Sequence, residues 1–345
     1  MKLVYKGSVK DLYQQGDALF FEYSNRYSIF DWGEMPDEIP LKGQALASMA
    51  ASFFEYLSAQ GFGSHYIAAT SPTSIQVQPV QVLRPNWKNG KYDYSMYADR
   101  PTSTLVPLEV IFRRFLGQGN SLEGRLKRNP SYLADLGLDQ IPTAANSFDP
   151  ALIEVSTKLE TSDRYLTRSE ITDMNVLSDA EFKAMREQTQ AIVRLLEKLF
   201  SSFGVKLWDG KLEFAFGKEG SSGQRDLLLV DSIGPDELRL TYEGLPLSKE
   251  FLRQLYSDSS WSQAVKKSKE MAAERKSQDW KGICQNELKE QPLPLTKEQI
   301  EVSSLLYQAL ANEVASTVGR SKPFAEEMNL KAWHRKVQEL EGKTR

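Results

Sequence analysis

The stretch LWDGKLEFAFG, residues 207–217, alternates charged and large apolar side chains. Its positions 209, 211 and 213 carry Asp209, Lys211 and Glu213, and large apolar residues stand at most of the even positions. Because successive side chains of a β-strand point to opposite faces, this alternation predicts a strand with one apolar face and one charged face. The apolar face packs into a core, and the function depends on what the charged face contacts.

A second strand is predicted in DLLLVDSIGPDELRL, residues 226–240, and forms a hairpin with the first across a Gly- and Ser-rich loop. Asp231 interrupts its apolar run and comes close to Glu213 in such a hairpin. Two adjacent carboxylates repel each other, and one protonates unless a divalent cation lies between them. With Lys211 beside that cation, the arrangement suits polyphosphate chemistry. The alternative is an exposed strand face with a surface salt bridge worth under about 1 kcal/mol.

The bulk composition narrows the class of protein. The 345 residues include 43 Lys and Arg and 46 Asp and Glu, which gives a net charge of −3 and no basic excess for nucleic acid. No apolar run approaches the roughly 20 residues that span a bilayer. Cys284 is the single cysteine, and His65 and His334 lie far apart, so a bound metal would have oxygen ligands, with magnesium the natural candidate. We expect a cytoplasmic protein that acts on small molecules and binds neither nucleic acid nor membrane.

The remaining pattern predicts an α+β protein. Residues 1–105 read as antiparallel strands with one covering helix. Ser178 and Glu181 form a capping box for an amphipathic helix over about 179–203, whereas residues 119–150 read as loop-rich. We predict an N-terminal domain, a second domain and a helical extension packed on the second domain, over residues 1–105, 106–258 and 259–345.

Two further motifs each permit a functional and a structural interpretation. YKGSVKDLY places Gly7 in a turn with Lys10 nearby, and the backbone amides of such a turn can bind phosphate, although an ordinary hairpin turn has the same pattern. VPLEVIFRR places Glu109 and Arg113 four residues apart, which also suits a structural ion pair on a helix.

Together these motifs resemble one enzyme family. DGKLEF followed by LLLVDSIGPDELRL is similar to the paired signature of phosphoribosylaminoimidazole-succinocarboxamide synthase, the SAICAR synthetase of purine biosynthesis. The other family motifs follow in the same order, and the resemblance runs over residues 5–256. Those similar segments are YKGSVKDLY, NRYSIFDWGEMPDEIPLKG, LVPLEVIFR, STKLETSDRYL and SKEFLRQLY.

The resemblance implies a two-domain α+β fold with antiparallel sheets, C-terminal helices and an ATP cleft between the domains. It also implies a ligase that joins the carboxylate of carboxyaminoimidazole ribotide to the amine of L-aspartate. ATP and Mg²⁺ are the implied cofactors, because a carboxylate is a poor electrophile until it is phosphorylated to an acyl phosphate. The small-molecule substrates are the implied partners, and a homo-oligomer is left open.

The resemblance assigns the phosphate chemistry to the charged strands and the N-terminal loop. Glu213 and Asp231 would hold magnesium on the ATP phosphates, which Lys10 would contact. Lys211 would lie at the transferring phosphoryl group or the substrate carboxylate, and Asp209 would orient the substrate or Lys211. The loop residues Gly7 and Ser8 would also contact ATP.

The same resemblance assigns the substrate contacts. Arg113 and Arg239 would bind the ribotide phosphate with guanidinium pairs, and Ser121 would join them. Lys158 would reach the nucleotide, Asp163 would line the cleft, and the backbone near Leu105 would meet adenine.

The chain differs from the usual family motifs at Ser8, Asn25, Gln118, Ser162 and Ser232. Two alternatives therefore stay open on the sequence alone. One is a divergent ligase that uses a related carboxylate or another amine. The other is a nucleotide-binding module without catalysis.

Overall fold

The computed structural model describes residues 1–117, 121–143, 146–221 and 223–344. Gln118, one of the positions that differ from the family motifs, lies outside the described residues. The strands are β1 (Lys2–Lys6), β2 (Lys10–Gln15), β3 (Ala18–Tyr23), β4 (Tyr66–Ser71), β5 (Ser74–Val77), β6 (Asn86–Lys88), β7 (Lys91–Asp93), β8 (Thr104–Phe115), β9 (Ser147–Thr157), β10 (Val205–Glu219), β11 (Arg225–Val230), β12 (Leu238–Tyr242) and β13 (Leu245–Pro246).

Helices and strands are interspersed irregularly along the chain, which confirms the predicted α+β class. A 3-10 turn (Ser95–Tyr97) and a π-helical segment (Ile283–Glu287) complete the regular structure. The α-helices are α1 (Lys42–Ala59), α2 (Ser121–Arg128), α3 (Tyr132–Asp135), α4 (Arg168–Met174), α5 (Asp179–Ser201), α6 (Lys249–Leu255), α7 (Ser260–Glu274), α8 (Trp280–Gly282), α9 (Lys297–Thr317) and α10 (Leu330–Thr344).

The chain divides into two compact units, each built from separate segments. The predicted boundaries at residues 105 and 258 differ from this division, and the helices after residue 259 belong to the first unit instead of extending the second. The chain passes from the first unit into the second and returns to the first unit toward residue 345. A local sequence pattern does not reveal such a return. The first unit comprises Met1–Ser52, Ala68–Val77 and Thr241–Arg345, and the second comprises Phe53–Ile67 and Gln78–Leu240.

The first unit contains a five-stranded sheet in the order β1-β2-β3-β5-β4. Its first turn needs Gly7, because a Cβ atom there would lie 2.4 Å from the carbonyl oxygen of Lys10. A hairpin around residues 15–17 joins β2 to β3. Among the described residues, no helix of either unit combines the length and the apolar character needed to cross a membrane.

The C-terminal helices of the first unit surround α9, which is buried along most of its length. Thr296 begins this helix as its N-cap and forms a capping box with Gln299. The ring of Trp333 on α10 meets Phe251 on α6 edge to face, with 5.6 Å between the ring centroids. This packing explains why the highly charged C-terminal sequence still folds into a core.

The second unit is organised around β10, the central strand of its sheet. The strand order within this unit is β12-β10-β8-β9, and β11 also pairs with β10 in the predicted antiparallel hairpin. Within β10, a Cβ atom at Gly210 would lie 2.6 Å from Leu238 and 2.8 Å from Phe112, so glycine permits close packing there. The predicted amphipathic helix is α5, which packs on this sheet and begins with the predicted capping box.

Three local predictions are wrong. Residues 226–240 form two strands instead of one, because the backbone turns at Asp231, whose φ is +66°. Residues 119–150 are not all loop, because α2, α3 and the start of β9 lie there around a small apolar cluster. Glu109 and Arg113 lie on β8, so they are not a helix pair.

A buried ion pair joins α5 to β11. The backbone N–H and Nε of Arg225 donate to Glu181 Oε1 at 3.1 and 2.9 Å, and Nη2 donates to Oε2 at 3.0 Å. Burial alone would raise the pKa of Glu181. The hydrogen bonds from Arg225 and from the Ser178 amide outweigh it and lower that pKa from 4.5 to about 2. This carboxylate therefore both caps the helix and anchors it to the sheet.

We expect Glu181→Gln to lower the free energy of unfolding by about 3 kcal/mol at pH 7, because the cap is kept but the charge that faces Arg225 is lost. The native pKa is depressed, so this contribution is present above pH 4.5 and disappears as the pH falls toward 2. Urea unfolding of wild type and variant at pH 7 and pH 3 measures the difference.

The matched control is Glu187→Gln, an exposed carboxylate on the same helix that pairs only loosely with Lys183 at 3.9 Å. It should change the free energy of unfolding by less than about 1 kcal/mol at both pH values. A difference between wild type and Glu181→Gln that is the same at pH 7 and pH 3 would contradict the prediction.

Candidate active site

The pairing of β10 with β8 places the charged residues on one face of the sheet. Asp209 lies directly opposite Arg113, and Glu213 lies directly opposite Glu109. Opposed residues of an antiparallel pair share a face, and so do alternate residues of one strand. Lys211 therefore lies on this face as well, midway between Asp209 and Glu213.

The next strand, β9, extends the same face. Glu154 on β9 pairs with Ile111 of β8, and Ser156 pairs with Glu109. Lys158 stands just after β9 and continues this alternation from Glu154 and Ser156. The face therefore carries charged residues from three neighbouring strands.

This charged face is buried, so the interpretation as an exposed strand with a surface salt bridge is wrong. Glu213 is 4% exposed, Asp209 8%, Arg113 5% and Glu154 1%. A charge removed from water is costly unless it is paired and hydrogen-bonded. The ion pairs among these side chains are therefore a condition for the sheet to fold in this way.

The lysine–glutamate cluster consists of Glu109, Lys158, Lys211 and Glu213, with Asp231 beside it. Lys211 Nζ lies 2.7 Å from Glu109 Oε1 and 3.7 Å from Glu213 Oε1. Lys158 Nζ lies 2.5 Å from Glu213 Oε1 and 3.6 Å from Glu109 Oε1. Counted together with Asp231, the two ammonium groups and three carboxylates of this cluster give a formal charge of −1, which favours an added cation.

Burial and neighbouring charges shift the pKa values of two residues in this cluster. Burial and the nearby Asp231 raise the pKa of Glu213, against the opposing effect of Lys158 and Lys211. Burial alone would lower the pKa of Lys211, but the charges of Glu109 and Glu213 outweigh it and raise that pKa. Lys211 is therefore a permanent cation at neutral pH, and Glu213 is a carboxylate whose burial its neighbours only partly compensate.

The cluster fits a magnesium ion on chemical grounds. Glu213 Oε1 is buried and accepts no hydrogen bond of regular geometry from the described residues, in spite of the close Lys158 ammonium. Across the described ranges, no group of three or more Asp, Glu, His or Cys side chains could hold a metal by itself. Magnesium is typically bound by one or two carboxylates with phosphate oxygens and water, which matches Glu213 with Asp231.

The arginine cluster consists of Arg113, Arg125, Arg239, Asp209 and Glu154. Asp209 Oδ2 accepts from Arg239 Nη1 at 3.0 Å and from Arg113 Nη1 at 3.4 Å. Glu154 Oε2 accepts from Arg113 Nε at 2.6 Å, and its Oε1 accepts from Arg125 Nη2. Three guanidinium groups and two carboxylates give a formal charge of +1, which favours an added anion.

Ser121 lies at the edge of the arginine cluster, where its Oγ accepts from Arg125 Nη1 at 2.7 Å. The structure therefore brings together the three predicted phosphate-binding residues, since Arg113 and Arg239 share Asp209. Arg125 and Glu154 are missing from the sequence prediction. The available signals were a carboxylate four residues before Lys158 in an apolar run, and an arginine four residues after Ser121.

An apolar cluster adjoins the lysine–glutamate cluster. Leu105, Ala215 and Val230 are buried together. The backbone N–H of Leu105 already donates to the carbonyl of Gln81 at 2.8 Å, and its carbonyl accepts from the Tyr97 hydroxyl at 3.3 Å, so its side chain is what it chiefly offers a ligand. The partly buried side chains packed against this cluster are Val80 and Leu159.

The other predicted site residues belong to neither cluster. Gly7, Ser8 and Lys10 belong to the first unit, where the Lys10 ammonium lies 4.8 Å from the centroid of the Phe21 ring. Ser8 is exposed beside the turn. Asp163 is exposed on the segment between β9 and α4.

Comparisons with known proteins identify the family of this chain. The SAICAR synthetase family profile matches residues 3–268. A protein of Archaeoglobus fulgidus, provisionally named phosphoribosylaminoimidazole-succinocarboxamide synthase, is 36% identical over 328 residues, which cover 89% of this chain and 93% of that protein.

Two solved structures share the fold. One is a SAICAR synthase of Saccharomyces cerevisiae in complex with SAICAR, with a TM-score of 0.63, 18% identity, and coverage of 93% of this chain and 95% of that chain. The other is a SAICAR synthetase in complex with ADP, with a TM-score of 0.54, 21% identity, and coverage of 72% of this chain and 89% of that chain.

We expect Asp209→Asn to lower the free energy of unfolding by about 2 kcal/mol, because Arg113 and Arg239 lose the carboxylate they share. Urea unfolding at neutral pH measures it. The control is Asp226→Asn, an exposed carboxylate on β11, which should be nearly neutral. Equal stabilities of these two variants would contradict a structural role for the shared carboxylate.

Proposed function

The chain belongs to the SAICAR synthetase family, and from this premise we propose a role for each charged cluster. As a member of this family it is an ATP-dependent carbon–nitrogen ligase of purine biosynthesis. The reaction joins the carboxylate of carboxyaminoimidazole ribotide to the amine of L-aspartate. The chemical obstacle is that a carboxylate, being negative and resonance-stabilised, resists attack by an amine.

ATP removes that obstacle in two steps. A carboxylate oxygen takes the γ-phosphoryl group, ADP leaves, and the product is an acyl phosphate. The amine of aspartate then attacks the carbonyl carbon, inorganic phosphate leaves, and the nitrogen loses a proton. The protein has to bring two anions together in the first step, so charge compensation and positioning supply most of the catalysis.

The lysine–glutamate cluster is the proposed site of the ATP phosphates. Lys158 reaches the nucleotide phosphates, and Lys211 compensates the charge on the transferring phosphoryl group and on the carboxylate that receives it. Glu213 and Asp231 would hold Mg²⁺, which neutralises phosphate charge when bound. The ADP complex of a protein with this fold supports a nucleotide site in such an enzyme.

The apolar cluster of Leu105, Ala215 and Val230 is the proposed surface for the adenine ring. Its position next to Glu213 on β10 supports this, because Ala215 is only two residues further along the strand. An adenine ring buries its apolar faces against aliphatic side chains. The Leu105 contribution is then a packing surface more than a backbone hydrogen bond.

The arginine cluster is the proposed site of the ribotide phosphate. The single observation that carries the proposal is the position of Lys211 on β10, between Asp209 of the arginine cluster and Glu213. Four residues of strand separate Asp209 from Glu213, a distance of about 13 Å, with Lys211 halfway. A ribotide with its phosphate at Arg113 and Arg239 can therefore direct its carboxylate toward Lys211 and the ATP phosphates.

Several roles rest on the family resemblance. Gly7, Ser8 and Lys10 are proposed to contact the ATP phosphates, and Asp163 is proposed to line the substrate site. Asp209 is proposed to orient the substrate by holding Arg113. A cytoplasmic location and a homo-oligomer also stay proposals.

We expect Lys211→Ala and Glu213→Gln each to reduce turnover by at least about 100-fold, because each removes charge that acts on the transferring phosphoryl group. ADP release in the presence of the ribotide, L-aspartate, ATP and Mg²⁺ measures turnover. Circular dichroism and the unfolding midpoint establish that each variant is folded.

The matched control is Lys218→Ala, an exposed lysine at the far end of the same strand, which should retain wild-type turnover. Normal turnover in folded Lys211→Ala would refute the proposed role of the cluster. A panel of related carboxylates and amines in the same assay tests the substrate assignment, since a divergent ligase would prefer another member of the panel.

A further inference from the structure

Arg125 is held on three sides within the second unit. Its Nη1 donates to Ser121 Oγ at 2.7 Å, and its Nη2 donates to Glu154 Oε1. Its guanidinium carbon lies 3.4 Å from the centroid of the Tyr165 ring, a stacked cation–π arrangement. A side chain fixed in this way has already lost its rotamer entropy during folding. Binding of a ligand to it therefore costs less entropy.

Glu154 holds two arginines with one carboxylate. Its side chain is fully buried, and its two oxygens accept separately from Arg113 and Arg125. Tyr132 also points its hydroxyl at Oε1, at 3.4 Å. Because each oxygen is committed to a different guanidinium, Glu154 sets the spacing and orientation of both arginines.

The three guanidinium groups keep unused donors. Each has five N–H bonds. Within the described ranges, Nη2 of Arg113 and Nη2 of Arg239 donate no hydrogen bond, and Nε of Arg125 is buried without a partner. With a formal charge of +1, the arginine cluster has both spare donors and spare positive charge for a doubly charged phosphate.

We infer that Arg125 is a third arginine of the ribotide-phosphate site and that Glu154 is a positioning residue which fixes Arg125 and Arg113 for that contact. The inference rests on the proposed function, in which Arg113 and Arg239 bind this phosphate. It adds Arg125 as a phosphate-binding residue and Glu154 as the buried carboxylate that positions it. The three guanidinium groups would then select for a phosphorylated substrate.

A purely structural role for these residues makes a different prediction. Arg125 and Glu154 would then affect stability, and any loss of binding would be equal for substrates with and without a phosphate. The phosphate role predicts a loss confined to the phosphorylated substrate. Comparison of the ribotide with its dephosphorylated riboside therefore separates the two.

The experiment measures binding of the ribotide and of the riboside to the full-length chain by titration calorimetry. We expect Arg125→Ala to weaken ribotide binding about 10- to 100-fold, the effect of losing a charge-assisted hydrogen bond, and to leave riboside binding within about twofold. Arg125→Lys should recover part of the loss, because it restores charge without the planar fork. Arg128→Ala, an exposed arginine on the same helix, is the matched control and should bind like wild type.

Glu154→Gln should weaken ribotide binding in the same selective way, and the double variant with Arg125→Ala should lose less than the sum of the single losses. In turnover assays the loss should appear as a raised KM for the ribotide with kcat nearly unchanged. If Arg125→Ala does not fold, Arg125→Lys and Glu154→Gln carry the same comparison.

Equal losses for ribotide and riboside, or unchanged ribotide binding in folded variants, would overturn the inference. Failure of the proposed function is a separate result, because wild type would then release no ADP with the ribotide and L-aspartate. Binding of the ribotide by wild type, and its weakening in Arg125→Ala, can be measured whether or not turnover occurs.

Discussion

Burial of β10 on both faces is the constraint on which the second unit depends. Its apolar face lies in the core that α5 covers, and the opposite face carries Asp209, Lys211 and Glu213. A central strand cannot leave such charges to water, so the neighbouring strands have to supply partners in register. β8 and β9 do this with Glu109, Arg113, Glu154 and the lysine that follows β9. The same requirement that stabilises the fold therefore concentrates ionisable groups in one place.

The register also divides this face by charge. The arginine cluster at one end of β10 has a formal charge of +1, and the lysine–glutamate cluster toward the other end has a formal charge of −1. These charges favour an anion at the arginine cluster. At the lysine–glutamate cluster they favour a cation that also binds phosphate groups. Lys211 lies on β10 between Asp209 of the arginine cluster and Glu213, and its raised pKa keeps it charged. A reaction that joins two anions needs this order of charges along one surface.

Much of this could be predicted from sequence because the signals are local. Alternation identified the charged face of β10, capping residues identified α5, and the interruption at Asp231 pointed to a partner for Glu213. Other features depend on contacts that no local pattern encodes. The break of the second strand at Asp231 needs a left-handed backbone, and Glu154 looks like one acidic residue in an apolar run until β8 places Arg113 beside it. The division into two units also depends on such contacts, because residues 241–345 pack with the N-terminal segment of the first unit.

The ion pairs of this face act as internal substitutes for ligand contacts. Asp209 and Glu154 occupy part of the hydrogen-bonding capacity of three arginines, and Lys158 lies against the oxygen of Glu213 that a metal would use. Each pairing lowers the cost of burying a charge, and each is replaceable in part by a phosphate or a cation. In the proposed function, ligand binding exchanges one set of paired charges for another instead of creating or burying an unpaired one. Such an exchange would let a largely buried sheet face bind highly charged substrates without a large loss of stability.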